Sequence, residues 1–171
     1  LFPARVLIEK GINEFLSCAK ILNKKYPNWK FHIAGTLNYK KNQSSFIKKS
    51  NLKNIKFYGH YEKIYKLFNE SSIVCLPSYR EGFPKSLIEA SASGCAIVTS
   101  NVPGCRDVIK NNYNGYLCLP KNIDSLYSKL DKLINNKKIR ETFFKNSRKL
   151  AEKKFDQKIF IKKNLYNYET S

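Results

Sequence analysis

The chain has 171 residues, of which 42% are apolar, enough for a folded domain with a real core and without covalent staples, so a single domain over 1–171 is expected. No apolar run approaches the roughly 18 residues that span a bilayer, no signal peptide opens the chain, and five scattered cysteines with no Cys-x-x-Cys pair argue against a disulfide framework or a structural zinc site. The formal charge of +19 favours anionic partners such as nucleotides, nucleic acid or an acidic membrane face; it does not choose among them.

Leu1-Phe2-Pro3-Ala4 reads as the end of a strand, and with no methionine in the sequence the chain is expected to begin inside something larger. A loop bearing Arg5 and Lys10 follows. Ile12, Phe15, Leu16, Ala19 and Leu22 then recur at helical spacing, giving a helix that ends near Tyr26-Pro27. Residues 29–34 alternate like a buried strand and stop at Gly35; the polar stretch 38–54 is expected to hold a short helix around Phe46-Ile47. A third strand, 55–58, closes at Gly59, and 61–68 reads as a helix leading to a short apolar strand at 73–76.

After an irregular loop, Pro84 opens a run of good helix formers that Gly94 stops. Residues 95–99 form an apolar strand suited to a buried parallel position, 101–104 a turn, and 106–110 a short helix. Asn114-Gly115 is a turn signal before a strand at 116–119. Asp124 is expected to cap a helix over 125–134, a second runs from 138 to about 153, and a third closes the chain. Six strands alternating with helices predict an α/β fold: a doubly wound, mostly parallel, Rossmann-like sheet with helices on both faces, a helical C-terminus, and a ligand at the carboxyl ends of the strands.

Chemistry concentrates in residues 77–91. Pro84 suits the first helical position, which leaves the N–H groups of Lys85, Ser86 and Leu87 pointing out of the helix start. Such donors, with the helix dipole and the Lys85 ammonium, suit phosphate oxygens. Ser86, Glu89 and Ser93 share a polar face, while Leu87, Ile88, Ala90 and Ala92 mostly face inward. Glu89 could therefore accept hydrogen bonds from ribose hydroxyls. It could equally pair with Lys85 four residues back, with Glu81 an ordinary loop charge. Spacing alone leaves both open.

Three motifs in order resemble the carboxyl-terminal domain of a GT-B fold glycosyltransferase, in the large retaining family usually called family four. The resemblance covers nearly the whole chain. Its most specific piece, Glu81-Gly82-Phe83-Pro84-Lys85-Ser86-Leu87-Ile88-Glu89-Ala90, matches that family's glutamate, seven residues, glutamate signature. Ala4-Arg5 through Lys10-Gly11 matches its arginine, four residues, lysine-glycine loop, with Ala4 where glycine is common. Val102-Pro103-Gly104-Cys105-Arg106-Asp107 with Asn114-Gly115 matches the segment that follows.

The resemblance implies that Arg5 and Lys10 contact the diphosphate of a nucleotide-sugar donor, offsetting charge on the departing nucleoside diphosphate. The backbone at Pro84, Lys85 and Ser86 would hold the same phosphates and Glu89 the ribose. Glu81, with the backbone of Gly82 and Phe83, would orient the sugar. Tyr61 falls where the family's loop cradles the base; His60 is given no role. Catalysis would rest on Arg5, Lys10 and Glu81 through positioning and charge stabilisation, since no activated nucleophile, metal cluster or cofactor is suggested. Glu81 as a glycosidase-like nucleophile would need a second acid close by.

The family's first domain, which binds the acceptor, is absent from the chain, so a donor-binding half with little activity alone is expected. Partners would be the nucleotide-sugar, the missing domain, and a glycan or lipid-linked acceptor for surface polysaccharide. The segment 103–106 is similar to transferases using UDP-N-acetylhexosamines, which favours UDP. The expected place is the cytoplasm, with peripheral contact to an anionic membrane face compatible with the lysines. Nucleic acid is disfavoured, because the basic residues are spread along the chain and not gathered on one element with aromatics.

Overall fold

Short, near-continuous apolar runs, buried on both faces at Ile73–Leu76 and Ala96–Ser100, build the strands, and longer runs with apolar residues every three or four positions build the helices that cover them. The computed structural model of the protein describes residues 1–37 and 54–155. In these, strands β1 (Phe31–Ala34), β2 (Ile55–Gly59), β3 (Ile73–Leu76), β4 (Ala96–Ser100) and β5 (Gly115–Cys118) occur in chain order. They alternate with helices α1 (Ile12–Lys25), α2 (Ile64–Glu70), α3 (Lys85–Ala92), α4 (Cys105–Val108), α5 (Ile123–Asn135) and α6 (Lys137–Lys154). A 3-10 turn, Ile8–Lys10, precedes α1. The short helix expected around Phe46-Ile47 and the helix expected to close the chain lie outside the described residues.

Every strand pair among the described residues is parallel: β1 lies beside β2, and β4 lies between β3 and β5. The expected six strands are five among the described residues, and a two-residue segment holds the sixth place. Phe2 donates its N–H to the His32 carbonyl (2.8 Å) and accepts from Ala34 (2.9 Å), while the Leu1 nitrogen donates to Ile73 (2.8 Å) and the Leu1 carbonyl accepts from Cys75 (2.8 Å). Leu1-Phe2 thus joins β1 to β3. Pro3 has no N–H to continue the ladder, which is why this segment does not extend into a named strand.

Strand alternation splits the core between the two faces. Ile73 and Cys75 of β3 and Ala96 and Val98 of β4 pack with Phe15 and Leu16 of α1, Leu126 and Leu133 of α5 and Phe143 of α6. Val74, Leu76 and Ile97 face the other way, onto Phe68 of α2, Leu87 and Ala90 of α3 and Val108 of α4. Helices on both faces of a parallel sheet make the doubly wound arrangement, which puts the loops after the strands at one edge.

Several boundaries differ from expectation for reasons of capping. Asn122, not Asp124, caps α5: its Oδ1 accepts from the Ser125 N–H at 2.7 Å, and Asn136 does the same for α6 through Ile139 at 3.0 Å. α2 begins at Ile64, three residues later than its apolar spacing suggested. Pro84 is the N-cap of α3 and not its first helical residue, with φ −73° and ψ 97°, and its carbonyl accepts from Leu87 at 3.0 Å. The Leu87 N–H is therefore engaged, and the outward donors of the helix start are those of Lys85 and Ser86. On α3, Leu87 and Ala90 face inward as expected, Ile88 and Ala92 are half-buried, and Ser91 is buried as well.

Candidate functional site

The loop after Leu1-Phe2 is compact because backbone bonds close it twice. Leu7 N–H donates to Arg5 (2.9 Å), and the 3-10 turn closes through Lys10 N–H to Leu7 (3.0 Å) and Gly11 N–H to Ile8 (2.9 Å). Gly11 then starts α1 with φ 76°, pressed so closely to β3's end that a Cβ there would lie 2.1 Å from the Pro77 carbonyl oxygen. That combination of positive φ and contact admits only glycine. Arg5 is exposed and makes no ion pair among the described residues.

Lys10 reaches across to the loop after β3, where its Nζ lies 2.8 Å from Glu81 Oε1. The two side chains are only 20% and 10% exposed, so this pair is shielded from the solvent that makes most surface pairs nearly worthless. The same two loops are bound through their backbones. Tyr79 N–H donates to the Glu9 carbonyl (2.8 Å), and the Ser78 hydroxyl lies 3.0 Å from that oxygen and 3.1 Å from the Arg80 carbonyl. The Tyr79 phenol donates to Glu14 Oε1 of α1 at 2.6 Å. Burial, and then that bond to Glu14, push the phenol up to about 12, so it remains a protonated donor at physiological pH.

Beyond Glu81, Gly82 has open space where a Cβ would lie, and Phe83 is 60% exposed with its ring edge-on to Phe155 at 5.9 Å. Pro84 is buried and anchors the start of α3. The exposed Lys85 and half-buried Ser86 follow. Glu89 lies one turn on, with its side chain 40% exposed and its carboxylate 4.0 Å from the Lys85 ammonium. The pairing left open by the sequence is thus present, at a distance and exposure that make it weak and leave the carboxylate accessible.

Two contacts escaped sequence reasoning, which placed Gly104 in a turn and a family motif but gave it no partner. Gly104, at the end of the turn after β4, adopts φ 78°, and a Cβ on it would lie 2.3 Å from the Gly82 carbonyl oxygen and 2.6 Å from that of Glu81. It forms the floor on which the Glu81-Gly82 turn rests, and the Asp107 carboxylate accepts from its N–H at 3.2 Å. The Pro103-Gly104 dipeptide was the available signal. The second is the Tyr79–Glu14 bond, whose partners are 65 positions apart and carry no local pattern.

Tyr61 lies in the loop after β2, edge-on to Tyr58 at 5.4 Å, and Tyr58 in turn meets His32 at 5.3 Å. Nothing joins Tyr61 to Lys10 or Glu81 among the described contacts, and His60 is exposed. All five cysteines are buried free thiols. Cys105 is pushed up to about 11 by burial, which makes it a poor nucleophile. Among the described residues no cluster of three or more His, Cys, Asp or Glu side chains is placed to hold a metal, and no helix is long and apolar enough to cross a membrane.

A parallel, doubly wound sheet whose first loop carries Arg5 and Lys10, with Lys10 bonded to the loop that leads into α3, is the arrangement that the sequence resemblance implies. The C-terminal domain of a glycosyl transferase group 1 family protein, LpcC, from Francisella tularensis superposes with a TM-score of 0.81 at 30% identity, over 91% of this chain and 84% of that one. Residues 1–150 match the family description "Glycosyl transferases group 1", and the chain belongs to that family.

Among curated relatives, a Campylobacter jejuni N,N'-diacetylbacillosaminyl-diphospho-undecaprenol alpha-1,3-N-acetylgalactosaminyltransferase is 33% identical over 99% of the chain and 44% of its own length. The Staphylococcus aureus capsular polysaccharide biosynthesis glycosyltransferase CapM is 29% identical over 97% of the chain and 45% of its own length. The chain spans less than half the length of these relatives. A point mutant of S. aureus TarM, solved with fondaparinux, alpha-GlcNAc-glycerol and UDP, superposes at a TM-score of 0.86 with 28% identity, covering 96% of this chain and 34% of that one.

Proposed function

We propose that the chain is the donor-binding half of a retaining glycosyltransferase, which holds a nucleotide-sugar for transfer to a glycan or lipid-linked acceptor in surface polysaccharide synthesis. The observation that carries this reading is the Lys10–Glu81 pair at 2.8 Å, which ties the loop bearing Arg5 and Lys10 to the loop that leads into α3, whose start leaves two N–H groups outward. A diphosphate placed there meets two side-chain cations on one side and backbone donors with a helix dipole on the other. Glu81 steers Lys10 and presents its own carboxylate to the sugar, with the backbone of Gly82 and Phe83 beside it. Glu89 receives the ribose hydroxyls, and Tyr61 borders the base.

In this reading the diphosphate leaves while the acceptor hydroxyl attacks on the same face, with a donor phosphate oxygen assisting removal of its proton. The residues of the chain stabilise the departing charge and fix the geometry, which is where most of the rate enhancement of such a step is obtained. No metal or organic cofactor takes part. The acceptor is bound mainly by a first domain, and transfer takes place at the cytoplasmic face of a membrane. UDP is the favoured nucleotide and an N-acetylhexosamine the favoured sugar, on the strength of the relatives' names and of UDP in the TarM complex.

Thermal shift with UDP, GDP and ADP tests this: stabilisation should grow as RT ln(1 + [L]/Kd) and be largest with UDP. Glu89→Ala should weaken UDP binding by about 1–3 kcal/mol, the cost of lost hydrogen bonds to a charged group. No shift with any of the three nucleotides would count against a donor site, and unchanged affinity in the Glu89 variant would remove the ribose assignment.

A further inference from the structure

Glu14 is an expensive residue for its position. It is 8% exposed on the first turn of α1, one carboxyl oxygen accepts from the Tyr79 phenol at 2.6 Å, and the other is buried with no hydrogen-bond partner among the described residues. A carboxyl so placed is destabilising relative to an apolar side chain of the same shape. Its retention asks for a reason other than packing. The Tyr79 ring is also held from the far side, where the Lys121 ammonium in the loop after β5 lies 5.0 Å from its centroid.

What this arrangement controls is the 3-10 turn. Glu14 is four residues beyond Lys10, so a shift of the first turn of α1 carries Lys10 with it. Tyr79 holds both ends of that segment, through its N–H on the Glu9 carbonyl and its hydroxyl on Glu14, and Glu81 lies two residues beyond Tyr79. We propose that Glu14 and Tyr79 are positioning residues: by binding α1 to the loop after β3 they fix Lys10 against Glu81, so that a nucleoside diphosphate meets its cations already in place. Neither touches the ligand. This rests on the donor-site reading above, and it assigns the grip on the second phosphate to a contact buried behind the site. Small displacements of such groups have large consequences for the transfer step, where about 1 Å can cost a hundredfold in rate.

The test compares UDP with UMP, which lacks the second phosphate, by calorimetric titration of the native chain, Tyr79→Phe, Glu14→Gln and Glu14→Ala. Tyr79→Phe keeps the ring beneath Lys121 and should lose about tenfold in UDP affinity, the equivalent of one hydrogen bond, with UMP affinity nearly unchanged. Glu14→Gln keeps an acceptor for the phenol and should retain most of the preference for UDP over UMP, whereas Glu14→Ala should lose it. If Glu14→Ala does not fold, the Tyr79→Phe ratio decides. Equal losses for UDP and UMP in Tyr79→Phe, or no loss at all, would overturn the proposal, because a purely structural contact has no reason to read the second phosphate. A native chain that does not distinguish UDP from UMP overturns the donor reading itself, and the proposal with it; that failure is seen before any variant is made.

Discussion

Gly104→Ala should lower the melting temperature by about 5–10 °C, as expected for about 2–3 kcal/mol of strain in a domain of this size. At φ 78° and ψ −52° an alanine is disfavoured whatever the space, and here there is none: its Cβ would lie 2.3 Å from the Gly82 carbonyl oxygen. The atom in the way is backbone, so relief requires the Glu81-Gly82 turn to move. Glu81 would then be drawn away from Lys10, and UDP affinity should fall together with stability. Thermal melts with and without UDP check both effects. A variant that melts like the native chain would show that the turn after β4 does not support the site.

Arg5→Ala and Lys10→Ala should both weaken UDP binding by about 1.5–3 kcal/mol, roughly tenfold to 150-fold, the range for hydrogen bonds to a charged group. They should differ in stability. Arg5 is exposed and makes no ion pair among the described residues, so its removal should stay within about 0.5 kcal/mol of native stability. Lys10→Ala strips the partner from a Glu81 side chain that is only 10% exposed, which should cost measurable stability as well. Titration calorimetry beside chemical denaturation separates the two. If Arg5→Ala binds UDP as tightly as the native chain, Arg5 is a solvated surface charge and not part of a clamp.

Much of this was legible in the sequence because it is local. The apolar runs of β3 and β4, the helical spacing of α1 and the glycine that stops α3 each report their element through neighbours a few positions away. The carboxyl-edge placement of Arg5, Lys10 and Glu81 followed from the alternation of strands and helices along the chain. What escaped was decided by partners far apart or by the backbone. Lys10 and Glu81 are 71 positions apart and were read as separate contacts to a ligand; the fold pairs them directly. Leu1-Phe2, expected as the end of a strand, does lie as one, but that it joins β1 to β3 is decided by bonds to residues far along the chain.

The capping differences have the same origin. Asp124 and Asn122 are both good caps by type, and Asn122, two positions earlier, takes the role: its Oδ1 accepts from the Ser125 N–H, and Lys121 before it turns the chain with φ 57°. At α3 the proline signal gave the right place for a helix start but one residue of offset, and that offset removes Leu87 from the free donors. Glu14 could not have been singled out, since on a helix wheel it is an ordinary first-turn acid; only the Tyr79 phenol across the interface gives it a use.

A crystal structure of the chain with UDP tests most directly whether one nucleoside diphosphate is held between the Arg5–Lys10 loop and the start of α3. The two phosphates should lie within hydrogen-bond distance of Arg5, Lys10 and the N–H groups of Lys85 and Ser86, with the ribose hydroxyls on the Glu89 carboxylate. UDP bound elsewhere, or with its ribose away from Glu89 and its phosphates in solvent, would contradict the donor site.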